Sequence, residues 1–298
     1  MIVFSWNIEG AWQGTPKERV RNQIEYIDAH DNKPDILFLQ EVSRYRTEIR
    51  KYLTEIGYHT IEDTLDWASE LGESTVQPHH DISHTNGNLT AVRGEADLTR
   101  KSLDVLGQEY DDEDVKNLDT HYPEKILVTD CEIQGHTIEC WNVRAVPGGM
   151  KGEEKIKILE TVFHRIIDGE EKFRILAGDF NTPDEELCDG QAVNFLQYKD
   201  QRIRNRWRNA ELNILKGLGH AGMIDTFRAI KGFGELDELD VSHATRTEEP
   251  LHVPEEDVEG VRFDHIFAST ELDPQDSFYD VEGFRYSDHA PLITEFKF

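Results

Sequence analysis

Short runs of apolar residues alternate along the chain with stretches whose apolar residues recur every three or four positions. Ile2 to Trp6 and Asp35 to Gln40 are runs of strand length, and the second is apolar enough to be buried on both faces. Between them, Val20, Ile24 and Ile27 recur at helical spacing. This alternation of strands and helices predicts a layered domain of the α/β (α+β) class.

The first predicted helix has a recognisable start. Thr15 has the position of an N-cap, Pro16 that of the first helical residue, and Glu18 follows three residues after the cap. The same periodicity predicts further helices at about residues 43–56, 158–166 and 191–216.

The remaining apolar runs predict the other strands. Lys125 to Cys131 and Thr137 to Val143 flank a short turn and predict a hairpin. Further strands are predicted at Leu89–Val92, Phe173–Ala177, Arg262–Ala268 and Pro291–Phe298. Residues 59–87 and 235–259 are polar and poorly periodic, so we expect them to be loop-like insertions. With no domain-length linker, residues 1–298 are predicted to form a single domain.

The composition narrows the class of protein. The 298 residues are 37% hydrophobic, which is enough for a large core, and no run of about 18 apolar residues is present to span a bilayer. The chain opens on a strand pattern without a basic leader, and its three cysteines are scattered. We therefore expect a soluble cytoplasmic protein, acting as a monomer without a membrane partner.

Acidic residues outnumber basic ones throughout the chain. Asp and Glu total 60 against 32 Lys and Arg, which gives a formal net charge of −28. Such an excess repels itself and repels polyanions in dilute buffer. Because the acids are spread rather than confined to one tail, we hypothesise a surface adapted to concentrated salt, where screening suppresses the repulsion.

Polar residues cluster where the predicted strands end. Open layered sheets collect binding sites at strand ends, so these side chains are expected to converge. Carboxylates at such positions need compensation, and Mg²⁺ (or Mn²⁺) is a hard cation that binds carboxylates together with phosphate oxygens. Glu41 is the first candidate metal ligand, with Glu9 and Asp288 as helpers. The full set is Asn7, Glu9, Glu41, Asp179, Asn181, Asp264, Asp288 and His289.

Five segments resemble, in order, the motifs of the endonuclease/exonuclease/phosphatase superfamily, including its exonuclease III and apurinic endonuclease-like branch. The resemblance implies a four-layer sandwich, in which two mixed β-sheets pack face to face with helices outside. It also implies metal-dependent phosphoester hydrolysis, with Glu41 holding Mg²⁺ against the phosphate. The segments are Ser5–Gly10, Leu39–Val42, Gly178–Pro183, Arg262–Phe267 and Ser287–Pro291.

The resemblance also implies roles for the other residues. Asn7 would support Asp179 and the phosphate, Asp179 would orient and deprotonate the attacking water, and Asn181 would donate to the developing oxyanion. His289, held and charged by Asp264, would contact the phosphate.

One segment departs from the family pattern. Many phosphatase-like and sphingomyelinase-like members have an Asn-x-His segment after the central hairpin, whereas this chain has Asn142-Val143-Arg144. Of the Tyr and Asn around a Val-Pro pair in the exonuclease III branch, only Val146-Pro147 is present. The acid for the leaving group therefore stays open, and Arg144 is expected to stabilise negative charge at the phosphate.

A basic segment gives the main indication of the substrate. Lys199 to Arg208 contains five basic residues and one acid, a net charge of +4. If the segment is helical, Arg202 and Arg206 share a face, as do Arg204 and Arg208, with Trp207 between them. Basic groups interleaved with an aromatic suit a phosphate backbone and an exposed base.

Three functions stay open at this point. The leading one is a Mg²⁺- or Mn²⁺-dependent nuclease acting on DNA, as an exonuclease or a repair-type endonuclease. A second directs the same chemistry at a small-molecule or lipid phosphoester, which the acidic surface would tolerate. A third is a binding protein with a decayed site. The arginine segment has an equally plain alternative, a solvated helix face paired with acids.

Overall fold

The computed structural model describes most of the chain. The described residues are 1–10, 17–31, 33–43, 45–65, 86–101, 120, 122–170, 172–187, 189–194, 201–234, 240–244 and 260–297. The predicted cap at Thr15 and Pro16, and much of the two predicted insertions, lie outside them.

The described residues form sixteen strands and five α-helices. The helices are α1 (Lys17–Ala29), α2 (Arg46–Glu55), α3 (Gly148–Ile167), α4 (Gln201–Leu215) and α5 (Thr226–Lys231). The strands are β1 (Ile2–Asn7), β2 (Ile36–Val42), β3 (Tyr58–Asp63), β4 (Gly87–Arg93), β5 (Asp97–Arg100), β6 (Ile126–Ile133), β7 (His136–Arg144), β8 (Arg174–Asp179), β9 (Glu185–Glu186), β10 (Ala192–Val193), β11 (Met223–Asp225), β12 (His243–Ala244), β13 (Gly260–Val261), β14 (Asp264–Ser269), β15 (Pro274–Tyr279) and β16 (Leu292–Phe296).

Twelve of the strands form two six-stranded sheets. The first has the order β15-β16-β1-β2-β4-β3 and the second β11-β14-β8-β7-β6-β5. In each sheet one central pair is parallel, β1 with β2 and β7 with β8, and the other pairs are antiparallel. Both sheets are therefore mixed, as the family resemblance implied.

Three hydrophobic clusters fill the spaces between the layers. The central one joins Phe38 of the first sheet to Cys140 and Ile175 of the second, so the two sheets pack face to face. A second cluster packs α1 and α2 on the outside of the first sheet, and a third packs α3 and α4 on the outside of the second. The result is the predicted four-layer sandwich.

The four edge strands of the two sheets, β3, β5, β11 and β15, went unpredicted because their sequences are short or polar. Residues 59–63, expected to belong to a loop, lie in strand β3, which buries Tyr58, Ile61 and Asp63 and pairs with β4. Strand β15 is an edge strand whose outer positions face solvent. An edge strand needs few apolar residues, so the periodicity gave little signal.

The helix predicted at about 191–216 begins later than expected. Ala192 and Val193 pair with Glu185 and Glu186 in a small ribbon, and α4 begins at Gln201. The hairpin of β6 and β7 matches its prediction closely. No helix in the described part of the chain has the length and apolar character needed to cross a membrane.

Candidate active site

The predicted polar residues converge at one end of the two sheets. Asn7 and Asp179 end the parallel-paired strands β1 and β8, while Glu41 lies near the end of β2. Because β14 runs antiparallel to β8, Asp264 at its start lies directly opposite Asp179. His289 precedes β16, which runs antiparallel to β1. The topology therefore brings together five side chains from distant parts of the sequence.

Asn7 connects the two sheets at the centre of this site. Its Nδ2 lies 3.0 Å from Oδ2 of Asp179, 3.3 Å from Oε1 of Glu41 and 3.5 Å from Nε2 of His289. Its Oδ1 accepts a hydrogen bond of 3.0 Å from the backbone N–H of Glu9, which fixes the orientation of the amide. Nδ2 therefore donates towards the carboxylates.

Asp179 is held by several donors. It is 1% exposed, and its Oδ1 accepts from the backbone N–H of Asn181 at 2.9 Å. Its Oδ2 accepts from Nδ2 of Asn181 at 3.0 Å, in addition to Asn7. Nδ2 of Asn181 also donates to the carbonyl of Ala145 at 2.8 Å. Asp179 thus has the fixed orientation that a base positioning a water molecule needs.

Arg144 lies inside the site beside Glu41. Its Nη2 donates to Oε1 of Glu41, and its Nε lies 3.9 Å from Oδ2 of Asp179. The side chain of Arg144 is 12% exposed, and that of Glu41 9%. Asn142, two residues earlier, fixes β7 against the first sheet by donating to the carbonyls of Leu39 and Leu89. Arg144 therefore places a guanidinium between two carboxylates of the site.

Lys125 is a second cation near Glu41 and Arg144. Burial lowers the pKa of Lys125 to about 8, although the carboxylates of Glu124 and Glu41 act in the opposite direction. Its Nζ donates to the carbonyl oxygen and to the Oδ1 of Asn86. Nothing in the sequence pointed to this residue, because it only precedes an ordinary hairpin strand, β6.

Asp264 and His289 form a buried pair. Nδ1 of His289 lies 2.7 Å from Oδ2 of Asp264, and the two residues are 5% and 0% exposed. Burial alone would lower the pKa of His289, but the carboxylates of Asp264, Asp179 and Asp288 outweigh it and raise that pKa to about 10. The imidazole is therefore charged at neutral pH, with Nδ1–H donating to Asp264.

The backbone of Asp264 is also fixed. The hydroxyl of Tyr279 donates to its carbonyl oxygen at 2.6 Å, and its own N–H donates to Oγ of Ser242 at 2.9 Å. Oδ1 of Asp264 is buried and has no hydrogen-bond partner among the described residues.

The carboxylates of Glu9 and Asp288 lie near each other at the edge of the site. Burial, followed by the charge of Asp288, raises the pKa of Glu9, although Arg19 holds one of its oxygens at 2.5 Å. The repulsion between the two carboxylates would be relieved by a divalent cation. Neither Glu9 nor Glu41 belongs to a group of three closely spaced metal ligands among the described residues, so the set of Glu41, Glu9 and Asp288 stays a prediction.

Two clusters of possible metal ligands occur among the described residues. One contains Asp179, Asp264 and His289, and the other His243, Asp288 and His289, with the ligand atoms of each cluster within 4.8 Å of one another. His243 was missed from the sequence because it lies in the acidic segment expected to be a loop. In the structure it begins β12 and forms an isolated antiparallel bridge with His289.

The arginine helix is only partly as predicted. Trp207 is 1% exposed, packs against Gly148, and donates from Nε1 to Oε1 of Glu211 at 2.6 Å. The prediction that Trp207 stacks on a base is therefore wrong, since its ring fills the space between α3 and α4. Arg206 forms ion pairs with Glu153 and Glu160 of α3. This is the alternative in which the arginines pair with acids instead of binding substrate.

The other three arginines lie on other parts of α4. Arg202 and Arg208 are exposed, whereas Arg204 is half-buried and donates to Oε1 of Gln201 at 2.7 Å. These three arginines keep the positive charge of the predicted surface, but the buried Trp207 is not part of that surface.

A buried ion pair links α3 and α4 to the site. Lys155 and Glu211 have fully buried side chains, and Nζ of Lys155 lies 2.5 Å from Oε1 of Glu211. Nζ also donates to the carbonyl oxygen of Asn181 at 2.6 Å. The two outer helices therefore help to fix the loop that carries Asn181.

Three site residues have a left-handed backbone without being glycine. The φ angles are +50° at Glu9, +60° at Glu41 and +50° at Asn181. Such conformations are uncommon outside glycine and are concentrated at functional sites.

Comparisons with known proteins agree with the fold. The chain resembles an AP endonuclease from Archaeoglobus fulgidus, with 18% identity, coverage of 100% of both chains and a TM-score of 0.62. It resembles the APE2 catalytic domain of Xenopus laevis, with 20% identity, coverage of 100% of this chain and 92% of the other, and a TM-score of 0.61. It also resembles D. rerio TDP2 complexed with a single strand DNA product, with 17% identity, coverage of 100% and 99%, and a TM-score of 0.60.

At these identities the structural similarities establish the fold alone. No curated protein matches the sequence. A model of the Endonuclease/Exonuclease/phosphatase family, however, matches residues 4–289, which is nearly the whole chain. The chain therefore belongs to the Endonuclease/Exonuclease/phosphatase family.

Proposed function

We propose that this protein is a divalent-metal-dependent phosphodiesterase that hydrolyses nucleic acid, with DNA as the preferred substrate. The observation that carries the proposal is the contact of Asn7 with both Asp179 and Glu41 beside the His289–Asp264 pair. One position in this site is within reach of a water-orienting carboxylate, a charged imidazole and a guanidinium. That combination suits attack on an anionic phosphate.

Each side chain has a role in the proposed reaction. Asp179 accepts a proton from the attacking water, because its orientation is fixed by Asn7 and Asn181. His289 donates to a phosphate oxygen through Nε2, while Asp264 holds Nδ1. Asn181 donates to the phosphate when its amide exchanges the carbonyl of Ala145 for substrate.

Glu41, Glu9 and Asp288 are the residues we assign to the metal, Mg²⁺ or Mn²⁺. When bound, such an ion supplies positive charge to a phosphate oxygen. Arg144 adds a cationic donor beside the same phosphate. Arginine is too basic to release a proton readily, so we assign the protonation of the leaving group to water.

Support for a DNA substrate comes from two sources. The structural relatives include an AP endonuclease and a protein complexed with a DNA product. The exposed Arg202 and Arg208 offer cations to a phosphate backbone on the helix that is tied to the Asn181 loop. We further propose that residues 1–298 act as one domain, since β1 pairs with β16 near the other end of the chain.

A small-molecule or lipid phosphoester is the second candidate. The net charge of −28 opposes the approach of a polyanion, and Arg206 and Trp207 are used in packing α3 against α4. A small substrate would need only the charges inside the site.

The test is cleavage in about 2 M salt, where charge repulsion is screened. Labelled single- and double-stranded DNA, RNA, an abasic duplex and a chromogenic phosphodiester are each offered with Mg²⁺, Mn²⁺ or EDTA. We expect DNA cleavage that EDTA and Asp179→Ala both abolish, and that Asp184→Ala, a change at a nearby exposed carboxylate, leaves intact. Cleavage of the chromogenic ester alone would select the second candidate, and the product termini would separate exonuclease from endonuclease activity.

A further inference from the structure

His243 has no role in the proposed reaction, yet it forms a compact group with Asp288 and His289 at the edge of the site. Nε2 of His243 lies 4.0 Å from Oδ2 of Asp288, and Nε2 of His289 lies 3.9 Å from Oδ1 of the same residue. We propose that these three side chains form a binding site for a zinc-like divalent ion, distinct in its nitrogen ligands from the carboxylate site proposed for Mg²⁺.

The spacing of the group is close to that of a tetrahedral site. Ligand atoms about 2.1 Å from Zn²⁺ are about 3.4 Å apart in a tetrahedron. With one ligand atom taken from each residue, the three atoms lie within 4.8 Å of one another, and side-chain rotations would bring them to the tetrahedral separation. The side chains of His243 and Asp288 are 27% and 28% exposed, so an ion can enter from solvent.

The backbone holds the two histidines together. His243 and His289 are directly opposite in an antiparallel bridge, and their rings are 4.7 Å apart. The bridge is closed by two backbone hydrogen bonds, Ala244 N–H to the carbonyl of Asp288 at 3.2 Å and Ala290 N–H to the carbonyl of Ser242 at 2.8 Å. The relative position of the two imidazoles is therefore built into the fold.

The surroundings also orient each ring. Asp264 accepts from Nδ1 of His289, which is the arrangement that leaves Nε2 available to a metal. The ring of His243 stacks on Phe263, with a centroid distance of 5.1 Å and an interplanar angle of 28°. Such partners reduce the rotational freedom that a metal ligand loses on binding.

The ligand chemistry selects the ion. Two imidazole nitrogens and one carboxylate oxygen suit Zn²⁺, Co²⁺ and similar ions, whereas Mg²⁺ prefers oxygen ligands only. Three protein ligands leave a fourth position for water or a substrate atom. Zn²⁺ takes the lone pair of Nε2 of His289 in place of a proton, so that binding releases this proton to solvent.

Binding would have a consequence for the proposed reaction. Nε2 of His289 is the atom assigned to the phosphate contact, and Asp288 is assigned to Mg²⁺. An ion held by both therefore removes two groups from the hydrolytic site, and Zn²⁺ is expected to inhibit. This inhibition rests on the proposed function, whereas binding of the ion does not.

The first experiment measures binding without any substrate. Zn²⁺ is titrated calorimetrically, and Co²⁺ is followed by its visible absorption, in the full-length protein and in three variants. We expect His243→Gln and Asp288→Asn each to weaken one site by about tenfold or more. His220→Gln, the same change at an exposed histidine outside the group, is the control and should bind as the wild type does.

The circular dichroism of each variant establishes that it is folded. Two variants are used so that the test still stands if one of them does not fold. Unchanged stoichiometry and affinity in folded His243→Gln and Asp288→Asn would overturn the proposed zinc site. Loss of the same site in both, with a cobalt spectrum typical of nitrogen ligands in the wild type alone, would support it.

The second experiment measures hydrolysis at fixed Mg²⁺ with increasing Zn²⁺. We expect inhibition of the wild type and of His220→Gln, and a shift of the inhibitory concentration by about tenfold or more in His243→Gln. Zinc binding without inhibition would overturn the assignment of His289 to the phosphate. A protein that binds zinc but hydrolyses no phosphodiester under any condition would overturn the proposed function and leave the metal site standing.

Discussion

Nδ1 of His289 lies 2.7 Å from Oδ2 of Asp264, and both side chains are buried beside Asn7 and Asp179. We predict that Asp264→Asn lowers turnover by roughly 100-fold or more, because the imidazole loses the charge that holds it protonated and oriented. Unfolding in urea should change far less than turnover, since asparagine has the same shape and the imidazole, unlike a guanidinium, can release its proton. Steady-state kinetics and denaturation curves are the measurements.

Asp225→Asn is the matched control for that variant. Asp225 is a partly buried aspartate, and its Oδ2 accepts from Arg262 at 3.0 Å in a network outside the site. Its replacement should cost about 3 kcal/mol of unfolding free energy, because the buried guanidinium of Arg262 keeps only one of its two carboxylate partners, Glu186. If Asp264→Asn turns over like the wild type, the pair has no role in the mechanism.

Arg144 and a metal ion are expected to compete for Glu41. Nη2 of Arg144 donates to Oε1 of Glu41, so an ion must share or displace that contact. We predict that Arg144→Gln binds Mg²⁺ or Mn²⁺ about fivefold more tightly, which corresponds to about 1 kcal/mol, while its turnover falls because a cation near the phosphate is lost. Calorimetric titration measures the affinity independently of activity.

Arg285→Gln provides the comparison for Arg144, since Arg285 forms an exposed ion pair with Glu282. It should leave the metal affinity unchanged. Equal affinity in Arg144→Gln and the wild type would show that the guanidinium does not oppose the metal.

Substitution of Trp207 should affect stability, whereas substitution of the arginines of α4 should affect DNA binding. Trp207→Phe removes the donor to Glu211 and part of a buried ring, so it should lower the unfolding free energy by about 2 kcal/mol and leave DNA affinity intact. Replacing Arg202, Arg204 and Arg208 together by glutamine should weaken DNA binding and flatten its dependence on salt. Fluorescence anisotropy at several salt concentrations measures both effects. Equal DNA affinity in the triple variant and the wild type would assign the whole helix to structure.

The buried Lys125 makes stability depend on pH. Its folded pKa of about 8 lies below the ordinary value of 10.5 for lysine, and burial is the main cause. Between these values the unfolded chain binds more protons, so the unfolding free energy rises with pH in that interval. Below about pH 8 the full cost of the buried charge is present, and above 10.5 it is absent.

Lys125→Met lacks this titration, although it also loses the hydrogen bonds to Asn86. The stability of the wild type relative to Lys125→Met should therefore increase from pH 8 to pH 10. Urea denaturation of both proteins at several pH values measures the difference, in which the other titrating groups largely cancel. A difference that stays constant with pH would contradict the lowered pKa.

The net charge of −28 leads to a prediction about salt. Raising KCl from about 0.1 M to about 2 M shortens the screening length from about 10 Å to less than 3 Å, so the thermal midpoint should rise markedly. Sucrose, which favours compact states without screening charge, is the control. A midpoint that rises as much in sucrose as in KCl would argue against charge repulsion as the cause.

The four-layer architecture was implied by the family resemblance, whereas the convergence of most of the candidate site was predicted for a physical reason. Carboxylates such as Glu41 and Asp179 are rare at the ends of apolar strands, so their presence there indicated a shared location. His243 gave no such signal, because its partner lies 46 positions later and the two meet only through the bridge between residues 242–244 and 288–290.

The error at Trp207 has a different origin. The basic residues of α4 drew attention to one face, while Trp207, Ala210, Glu211 and Ile214 recur at helical spacing and form the buried face. Periodicity shows that a helix is amphipathic, but Glu211 makes the buried face of α4 look polar in the sequence. Only the contact with Lys155 shows that this glutamate is buried. The buried ion pair therefore explains why the pattern failed to show this face.

Because of the left-handed backbone at Glu41 and Asn181, the stability of this fold and its activity favour different residues at these two positions. Each such residue costs about 1 kcal/mol relative to glycine, which adopts the conformation freely. A laboratory selection for heat resistance alone would therefore enrich glycine at positions 41 and 181. The selected proteins would be more stable, but they would lack the carboxylate of Glu41 and the amide of Asn181 on which turnover depends.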